Sequence, residues 1–200
     1  MIRLVIAEDQ AMLRGALGTL LDLEDDMTLV AEARDGDEAL RLVREHSPDI
    51  LITDIEMPKR SGIDVAETVR AEKLATRVLI VTTFSRPGYL QRALKAGVYG
   101  YVLKDASSDE LADAVRKVHR GERYVPAELA GLAWSAPDPL TDRERQVLTL
   151  AEAGLQNKQI AAELGLSVGT VRNYLAEAMS KLQASNRVEA FRRARDLGWL

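Results

Sequence analysis

Five short apolar runs alternate with longer segments of helical period over the first 120 residues. The runs are continuous rather than alternating, which indicates strands that are buried on both faces of a sheet. Between them, apolar residues recur every three to four positions, as on the covered side of a helix. The predicted strands are residues 3–7, 29–34, 49–53, 77–82 and 99–103, and the predicted helices lie near 11–23, 37–46, 62–73, 87–96 and 108–120.

Five β/α repeats of this kind predict an α/β domain, in which helices cover both faces of a parallel sheet. The periodicity stops between residues 121 and 139, where WSAPDP has the composition of a linker and PAELAGLA predicts a short helix. We therefore predict a first domain over residues 1–121, a linker over 122–137 and a second domain over 138–200.

The second domain carries no strand signals and predicts four helices. Thr141 and Glu144 have the spacing of a capping box at the start of the first helix, and Gly154 ends it. A short helix ends at Gly165, and Ser167 then caps a longer third helix. This order is typical of a helix-turn-helix unit within a small all-α domain.

Composition and charge change this picture little. A hydrophobic content of 46% and a charged content of 29% are ordinary for a globular protein. The absence of cysteine excludes disulfides and thiolate zinc sites, and two histidines exclude a histidine-rich metal site. No apolar run approaches the ~20 residues of a membrane span, so we expect a cytoplasmic protein without membrane insertion. The net charge of −4 does not by itself identify a nucleic-acid binder.

Acidic residues follow two of the predicted strands. Glu8 and Asp9 come after the first strand, and Asp54 comes directly after the third. Because the carboxyl ends of parallel strands meet at one edge of a sheet, we expect these carboxylates to share a pocket. Their repulsion would raise at least one pKa unless a cation were present, and hard oxygen ligands suit Mg²⁺.

Thr82 and Lys104 end two further strands at the same edge. A carboxylate nucleophile, a divalent cation, a hydroxyl and an ammonium form a set suited to phosphoryl transfer. Each residue alone is ordinary as a cap, a turn residue or a solvated cation. Their occurrence at the ends of four strands in one β/α frame favours the functional interpretation.

These segments resemble those of two-component response regulators. IAEDQ resembles the segment that carries the family's acidic pair, and ITDIEMP resembles the phosphoacceptor segment. VLIVTTF resembles the strand that ends in the switch threonine, and GYVLKD resembles the segment of the lysine. The whole chain resembles the NarL/FixJ family, in which a flavodoxin-like (βα)5 receiver precedes a LuxR-type helix-turn-helix domain. The resemblance implies a transcription regulator rather than an enzyme. A sensor histidine kinase would phosphorylate it, and it would then dimerise and bind promoter DNA.

The resemblance also implies roles at the acidic edge. Asp54 would accept the phosphoryl group. Asp9, Asp54 and the carbonyl of Glu56 would bind Mg²⁺, while Glu8 would act through water on the metal. These assignments make Mg²⁺ the expected cofactor.

For the switch, the resemblance implies three further residues. Thr82 would turn toward the phosphoryl oxygens, Lys104 would pair with them, and Tyr101 would be the rotating aromatic. Phosphorylation would then bias a two-state surface around the fourth helix and the fifth strand.

The third helix of the second domain should enter the major groove by its N-terminal end. Arg172 and Asn173 lie off its apolar stripe near that end, and these side chains can read guanine and adenine. We therefore predict that they contact bases, and that Thr170, Lys158 and Lys181 contact phosphates.

The first and fifth helices carry wider apolar arcs than a one-sided surface helix needs. We interpret the excess as a two-fold dimer interface that phosphorylation strengthens. The alternative is that the extra apolar residues only cover the sheet. The predicted interface residues are Met12, Leu13, Leu17, Leu21, Leu111, Val115 and Val118.

Longer stretches, among them GALGTLLDLEDDM and TTFSRPGYLQRALKAG, are similar to those of family members that regulate a fatty-acid desaturase. This likeness implies membrane-lipid desaturase genes as targets. Two rival functions stay open at this point. One is a phosphatase or phosphotransferase that forms an aspartyl phosphate, although AEDQ lacks the D-x-D of the best-known hydrolases of that kind. The other is a phosphorelay protein that does not bind DNA.

Overall fold

The computed structural model of the chain describes residues 1–83, 87–133 and 138–200. The chain divides into two compact units. Nearly all of residues 1–132 form the first unit, and residues 133–200 belong to the second. Residues 134–137 of the predicted linker lie outside the described residues.

The first unit alternates five strands with five helices. The strands are β1 (Ile2–Ala7), β2 (Met27–Ala33), β3 (Ile50–Thr53), β4 (Arg77–Thr82) and β5 (Gly100–Leu103). They form one parallel sheet in the order β2-β1-β3-β4-β5, which is the flavodoxin-like order. The helices are α1 (Ala11–Asp22), α2 (Gly36–His46), α3 (Gly62–Ala71), α4 (Pro87–Ala96) and α5 (Ser108–His119). The predicted α/β fold class is confirmed.

The central strands are apolar along their whole length because helices cover both sides of the sheet. Ile50, Leu51 and Ile52 of β3 are all buried. Successive side chains of a strand point to opposite faces, so burial of all three means that both faces are covered. The continuous apolar run therefore identified β3 correctly.

Helices α1 and α5 pack on the same face of the sheet, but their apolar residues belong to the core. Leu17, Leu21, Leu111, Val115 and Val118 are all buried in one cluster with strand side chains. They cannot offer a surface to a partner in this fold, and we correct the predicted dimer interface by removing them. The wide apolar arcs arise because each helix touches both the sheet and the other helix.

The segment that follows α5 pairs with the edge of the sheet. The Tyr124 backbone N–H donates to the Tyr99 carbonyl, and the Tyr101 N–H donates to the Tyr124 carbonyl, each at 2.9 Å. The Tyr124 hydroxyl donates to Glu110 of α5 at 2.6 Å; burial, with this bond, raises its pKa to about 12. Helix α6 (Ala127–Ala133) comes next, so the described part of the predicted linker is ordered, while the domain limits themselves stay a prediction.

Residues 138–200 of the second unit form four helices, α7 (Asp142–Glu152), α8 (Asn157–Leu164), α9 (Val168–Lys181) and α10 (Arg187–Asp196). Thr141 and Glu144 form the predicted capping box of α7, and the Ser167 side chain caps α9. The buried core of this unit includes Val147, Leu148, Ile160, Val171 and Leu175. In the described part of the chain, no helix is both long enough and apolar enough to cross a membrane.

Candidate functional site

Three carboxylates meet at the carboxyl edge of the sheet. Strands β1 and β3 pair in register with Ala7 opposite Thr53, so the residues that follow them come side by side. One carboxylate oxygen from each of Glu8, Asp9 and Asp54 lies within 4.8 Å of the other two. Glu8 and Asp54 are buried and Asp9 is exposed. The acidic group that the strand ends predicted is therefore present.

Lys104 lies between two of these carboxylates. Its ammonium is 2.7 Å from Oδ2 of Asp54 and 2.8 Å from Oε2 of Glu8. The Lys104 backbone N–H donates to the Thr82 carbonyl at 2.9 Å, which continues the β4–β5 pairing past Leu103 and aims Lys104 at the pocket. The side chain of Lys104 is only 10% exposed, so this ion pair is largely shielded from water.

Burial and ion pairing have opposite effects on the pKa values at this site, and the larger effect differs between Glu8 and Lys104. Burial raises the pKa of Glu8, and the hydrogen bond from Lys104 offsets this only in part. Burial also opposes the charge of Lys104, but its hydrogen bonds to Asp54 and Glu8 raise the pKa of the ammonium. Lys104 is therefore held in its charged form beside Asp54.

Backbone groups fix the other side of Asp54. Its Oδ1 accepts a hydrogen bond from the Ile55 N–H at 2.6 Å. Gly62, the first residue of α3, passes so close that an added Cβ would lie 2.0 Å from the Asp54 carbonyl oxygen. Only glycine permits this approach, and the backbone of Asp54 is thereby held between a strand end and a helix start.

The remaining predicted residues of this edge differ in how deeply they are buried. Thr82 is fully buried at the end of β4 and lies next to Lys104 through the backbone bond. Tyr101 lies inside β5 with 1% of its surface exposed, so its side chain is in an inward position. The Glu56 side chain is exposed, in the loop that follows β3. The functional roles of these residues stay predictions.

Arg14 makes two contacts that the sequence did not predict. Its Nη1 donates to the Glu8 carbonyl at 2.7 Å, and its Nε lies 3.3 Å from Oε2 of Glu32. Arg14 thus ties α1 to the start of the acidic segment. No sequence pattern distinguishes it from the ordinary polar residues of an amphipathic helix, because its partners come from β2 and the β1–α1 connection.

The second unit presents a helix-turn-helix surface at α8 and α9. Arg172 and Asn173 are exposed in the first half of α9, and Lys158 is exposed near the start of α8. The opposite side of α9 packs into the core through Val171 and Leu175. The Thr170 hydroxyl lies 2.8 Å from the Ser167 hydroxyl, so it also takes part in the cap.

Lys181 has a structural contact that the sequence did not reveal. Its ammonium donates to both carboxylate oxygens of Glu144, at 2.7 and 2.8 Å. The Glu144 side chain is only 1% exposed and also completes the capping box of α7. In this fold Lys181 is the counterion of a buried carboxylate, and its predicted phosphate contact stays a prediction.

The outward side of α1 is apolar and uncovered within the first unit. Met12 is 90% exposed, Leu20 is 43% exposed and Leu23 is 75% exposed. Leu13 is only partly buried and packs against the core cluster. Of the predicted interface residues, Met12 and Leu13 therefore keep some accessibility. Leu20 and Leu23, which were not among the predicted interface residues, are exposed beside them.

Two family models match the chain. The response regulator receiver domain matches residues 4–116, which include the acidic group and Lys104. The luxR family of bacterial regulatory proteins matches residues 138–194, which include the helix-turn-helix.

Several known regulators are similar to this chain over nearly their whole length. The uncharacterized transcriptional regulatory protein YvfU of Bacillus subtilis is 52% identical over 200 residues and covers 100% of both chains. The transcriptional regulatory protein DesR of the same species is 49% identical, over 100% of this chain and 99% of its own. The crystal structure of the response regulator ChrA, from a heme-sensing two-component system, has a TM-score of 0.59 and 35% identity, over 100% of this chain and 98% of its own.

Proposed function

The chain belongs to the response regulators that join a receiver domain to a LuxR-type DNA-binding domain, and we propose that phosphorylation of Asp54 controls it. It is a DNA-binding regulator of transcription in a two-component system, and its family is not a family of enzymes. The rival functions, an aspartyl-phosphate phosphatase and a relay without DNA binding, are not favoured because a DNA-binding domain makes up the second unit.

The contact of Lys104 with Asp54 and Glu8 carries this proposal. A carboxylate oxygen of Asp54 attacks the phosphorus of a phosphohistidine on the sensor kinase. The new P–O bond forms as the P–N bond breaks, and the histidine nitrogen leaves with that electron pair. The Lys104 ammonium and the Thr82 hydroxyl then bind the phosphoryl oxygens. The aspartyl phosphate carries about −1.5 to −2 charges, in place of the single charge of the Asp54 carboxylate.

We assign Mg²⁺ to the acidic group. The donor set fits this ion, because three carboxylates have oxygens within 4.8 Å of one another and Mg²⁺ prefers oxygen ligands. Asp9, Asp54 and the Glu56 carbonyl would hold the ion, and Glu8 would act through water. When bound, Mg²⁺ neutralises charge on the transferring phosphoryl group.

Labelling by a small phosphodonor tests the phosphoacceptor. The wild type, Asp54→Ala and Asp105→Asn are incubated with Mg²⁺ and acetyl phosphate, and their intact masses are measured. Asp105 is exposed and adjacent to Lys104, so it controls for adventitious labelling near the pocket. We expect one phosphoryl group on the wild type and on Asp105→Asn, and none on Asp54→Ala. Equal labelling of Asp54→Ala would overturn the assignment.

For DNA, we propose that α9 is the recognition helix. Arg172 and Asn173 are exposed near the end that enters the groove, and their side chains match the edges of guanine and adenine. Lys158 and Thr170 are the proposed phosphate contacts. Most of the affinity would come from phosphates and most of the specificity from the two base contacts.

We also propose that phosphorylation favours a homodimer through the exposed apolar side of α1. Met12, Leu20 and Leu23 form this surface, with Leu13 at its margin. Large exposed apolar residues grouped on one helix mark an interaction site. A second copy is the occupant we assign, because two recognition helices on paired half-sites require two chains. Thr82 and Tyr101 would transmit the signal from Asp54.

The likeness to regulators of a fatty-acid desaturase predicted desaturase genes as targets. YvfU and DesR are similar to this chain to nearly the same degree, at 52% and 49% identity, so the likeness does not select the desaturase genes as targets. Genome-wide footprinting of the phosphorylated protein tests this prediction. We propose that the protein acts in the cytoplasm, where it meets both chromosomal DNA and the phosphohistidine of its kinase.

A further inference from the structure

The loop that follows Asp54 is tied to the start of α2 by two ion pairs. This loop, residues 55–61, connects β3 to α3. The Lys59 ammonium lies 2.7 Å from Oδ2 of Asp35, and Nε of Arg60 lies 2.6 Å from Oδ1 of Asp37. The two bonds join segments that are more than twenty residues apart in the chain.

Asp35 is held more firmly than a surface carboxylate. Its side chain is 6% exposed, and its Oδ1 accepts the Glu38 N–H at 2.9 Å as the N-cap of α2. The hydrogen bond from Lys59 is the main cause that lowers the pKa of Asp35, and the Glu38 N–H lowers it further. Asp35 therefore presents a fixed negative charge to the loop.

The loop adopts a backbone conformation that its sequence does not favour. Lys59 has a φ of +68°, in the left-handed region that side chains with a Cβ rarely occupy. Gly36 of α2 lies so close that an added Cβ would be 2.3 Å from the Arg60 carbonyl oxygen. A strained residue persists only when its surroundings over-determine it, and such residues cluster at functional sites.

We propose that Asp35 and Lys59 are positioning residues, which hold the loop in the conformation that presents Glu56 to Mg²⁺. This inference rests on the proposed metal site, to which Glu56 contributes its carbonyl. Glu56 lies two residues after Asp54 and three before Lys59, so the ordered strand end fixes one side of it and the ion pair fixes the other. The pair then acts on the metal without touching it, as outer-shell partners do.

For Lys59, simple electrostatics and the proposed positioning role predict opposite changes in Mg²⁺ affinity. Removal of the Lys59 ammonium takes a positive charge away from a cation site, which by itself would tighten Mg²⁺ binding. If Lys59 positions the loop, its removal weakens Mg²⁺ binding instead. Lys59→Met therefore separates positioning from charge, whereas for Asp35→Asn both effects weaken binding.

Mg²⁺ affinity of the full chain, measured by calorimetry without phosphodonor, tests the proposal. The variants are Lys59→Met, Asp35→Asn, which keeps an N-cap side chain, and the double variant. Arg41→Met is the matched control, because it removes one positive charge from α2 at an exposed pair with Glu45. Thermal unfolding in EDTA is recorded for each variant as the measure of a purely structural role.

We expect Lys59→Met and Asp35→Asn each to raise the Mg²⁺ Kd about tenfold, the lower end of the loss for an outer-shell partner. The double variant should lose little more than the worse single variant, because the two residues act as one pair. Arg41→Met should leave the Kd unchanged. An unchanged or lower Kd for Lys59→Met overturns the inference, even if its melting temperature falls. Absence of Mg²⁺ binding by the wild type would instead overturn the proposed metal site, and this inference with it.

Discussion

The Lys104 ammonium lies 2.7 Å from Oδ2 of Asp54, so the proposed phosphoacceptor has a counterion within the protein. The same ammonium lies 2.8 Å from Glu8. Two buried carboxylates thus share one largely buried cation, an arrangement whose stability depends on keeping all three partners. When Asp54 is phosphorylated, Lys104 is already beside the new charge.

Loss of the Lys104 charge should destabilise the receiver and increase its dependence on Mg²⁺. We expect Lys104→Met to lower the free energy of unfolding in EDTA by about 3 kcal/mol, the lower end for a broken buried pair, because Glu8 can take up a proton. Saturating Mg²⁺ should raise the melting temperature of the variant more than that of the wild type, since the ion replaces the lost charge.

Lys73→Met is the control for this experiment, because it removes the same charge from an exposed position. Its melting temperature in EDTA should match that of the wild type. A Lys104→Met variant as stable in EDTA as the control would show that the ion pair contributes nothing to the fold.

Low pH should reduce the free energy of unfolding of the second unit, because Glu144 becomes protonated. Burial raises the pKa of this carboxyl, but the hydrogen bonds from Lys181 and Thr141 outweigh it and lower the pKa below 4.5. The unfolded chain therefore binds a proton at higher pH than the folded chain. The stabilisation is fully present above about pH 4.5 and is lost as the pH falls through the lower folded pKa.

Urea unfolding as a function of pH measures this effect. Trp199 belongs to the core of the second unit and reports on it in a Trp134→Phe background. Glu144→Gln should lose about 1–2 kcal/mol at neutral pH, with a flatter acid dependence. Glu177→Gln, at an exposed position of α9, should behave like the wild type. An unchanged acid slope in Glu144→Gln would contradict the assignment.

The carboxyl edge of the receiver was predictable because each of its residues follows a strand with a strong local pattern. A continuous apolar run identifies β3, and parallel topology then brings Asp54 beside Glu8 and Lys104. The capping box of α7 was predictable for the same reason, since both of its residues lie within one turn.

Contacts that join distant charges were not predictable. Lys59 appears as a solvated loop residue until the fold brings Asp35 next to it, and its positive φ has no signal in a non-glycine residue. Lys181 appeared available to DNA because nothing in the sequence places Glu144 beside it. The apolar arc of α1 was misread because one helix can contact both a sheet and another helix.

DNA binding should separate base contacts from phosphate contacts. We expect Arg172→Ala to cost about 1–3 kcal/mol at the specific site and less on random DNA. Lys158→Ala should weaken binding to both DNAs and reduce the salt slope by about 0.9. Lys181→Met should leave the salt slope unchanged under conditions in which the variant is folded, because the Lys181 ammonium is paired with Glu144.

Titrations against the footprinted site and a scrambled site, at several salt concentrations, measure these differences. Equal losses on both DNAs for Arg172→Ala would make it a phosphate contact. A reduced salt slope for Lys181→Met would restore it as one.

Adjacent leucines of α1 should respond oppositely to the same substitution. Leu20 is 43% exposed on the outward side, whereas Leu21 is 2% exposed in the core. Leu20→Arg should keep the wild-type melting temperature, because arginine is a good helix former and its charge stays in water. Leu21→Arg should lower the free energy of unfolding by more than about 3 kcal/mol, because it buries an unpaired charge and loses core packing.

Oligomeric state then tests the proposed interface. Sedimentation with and without acetyl phosphate should show a phosphorylation-dependent dimer for the wild type and a monomer for Leu20→Arg, since a like charge would face itself across the two-fold axis. Val188→Arg makes a comparable change at an exposed position of α10 and should leave the dimer intact. If Leu20→Arg still dimerises while its melting temperature is unchanged, the α1 surface is not the interface. Loss of the dimer in Val188→Arg alone would move the interface to the second unit.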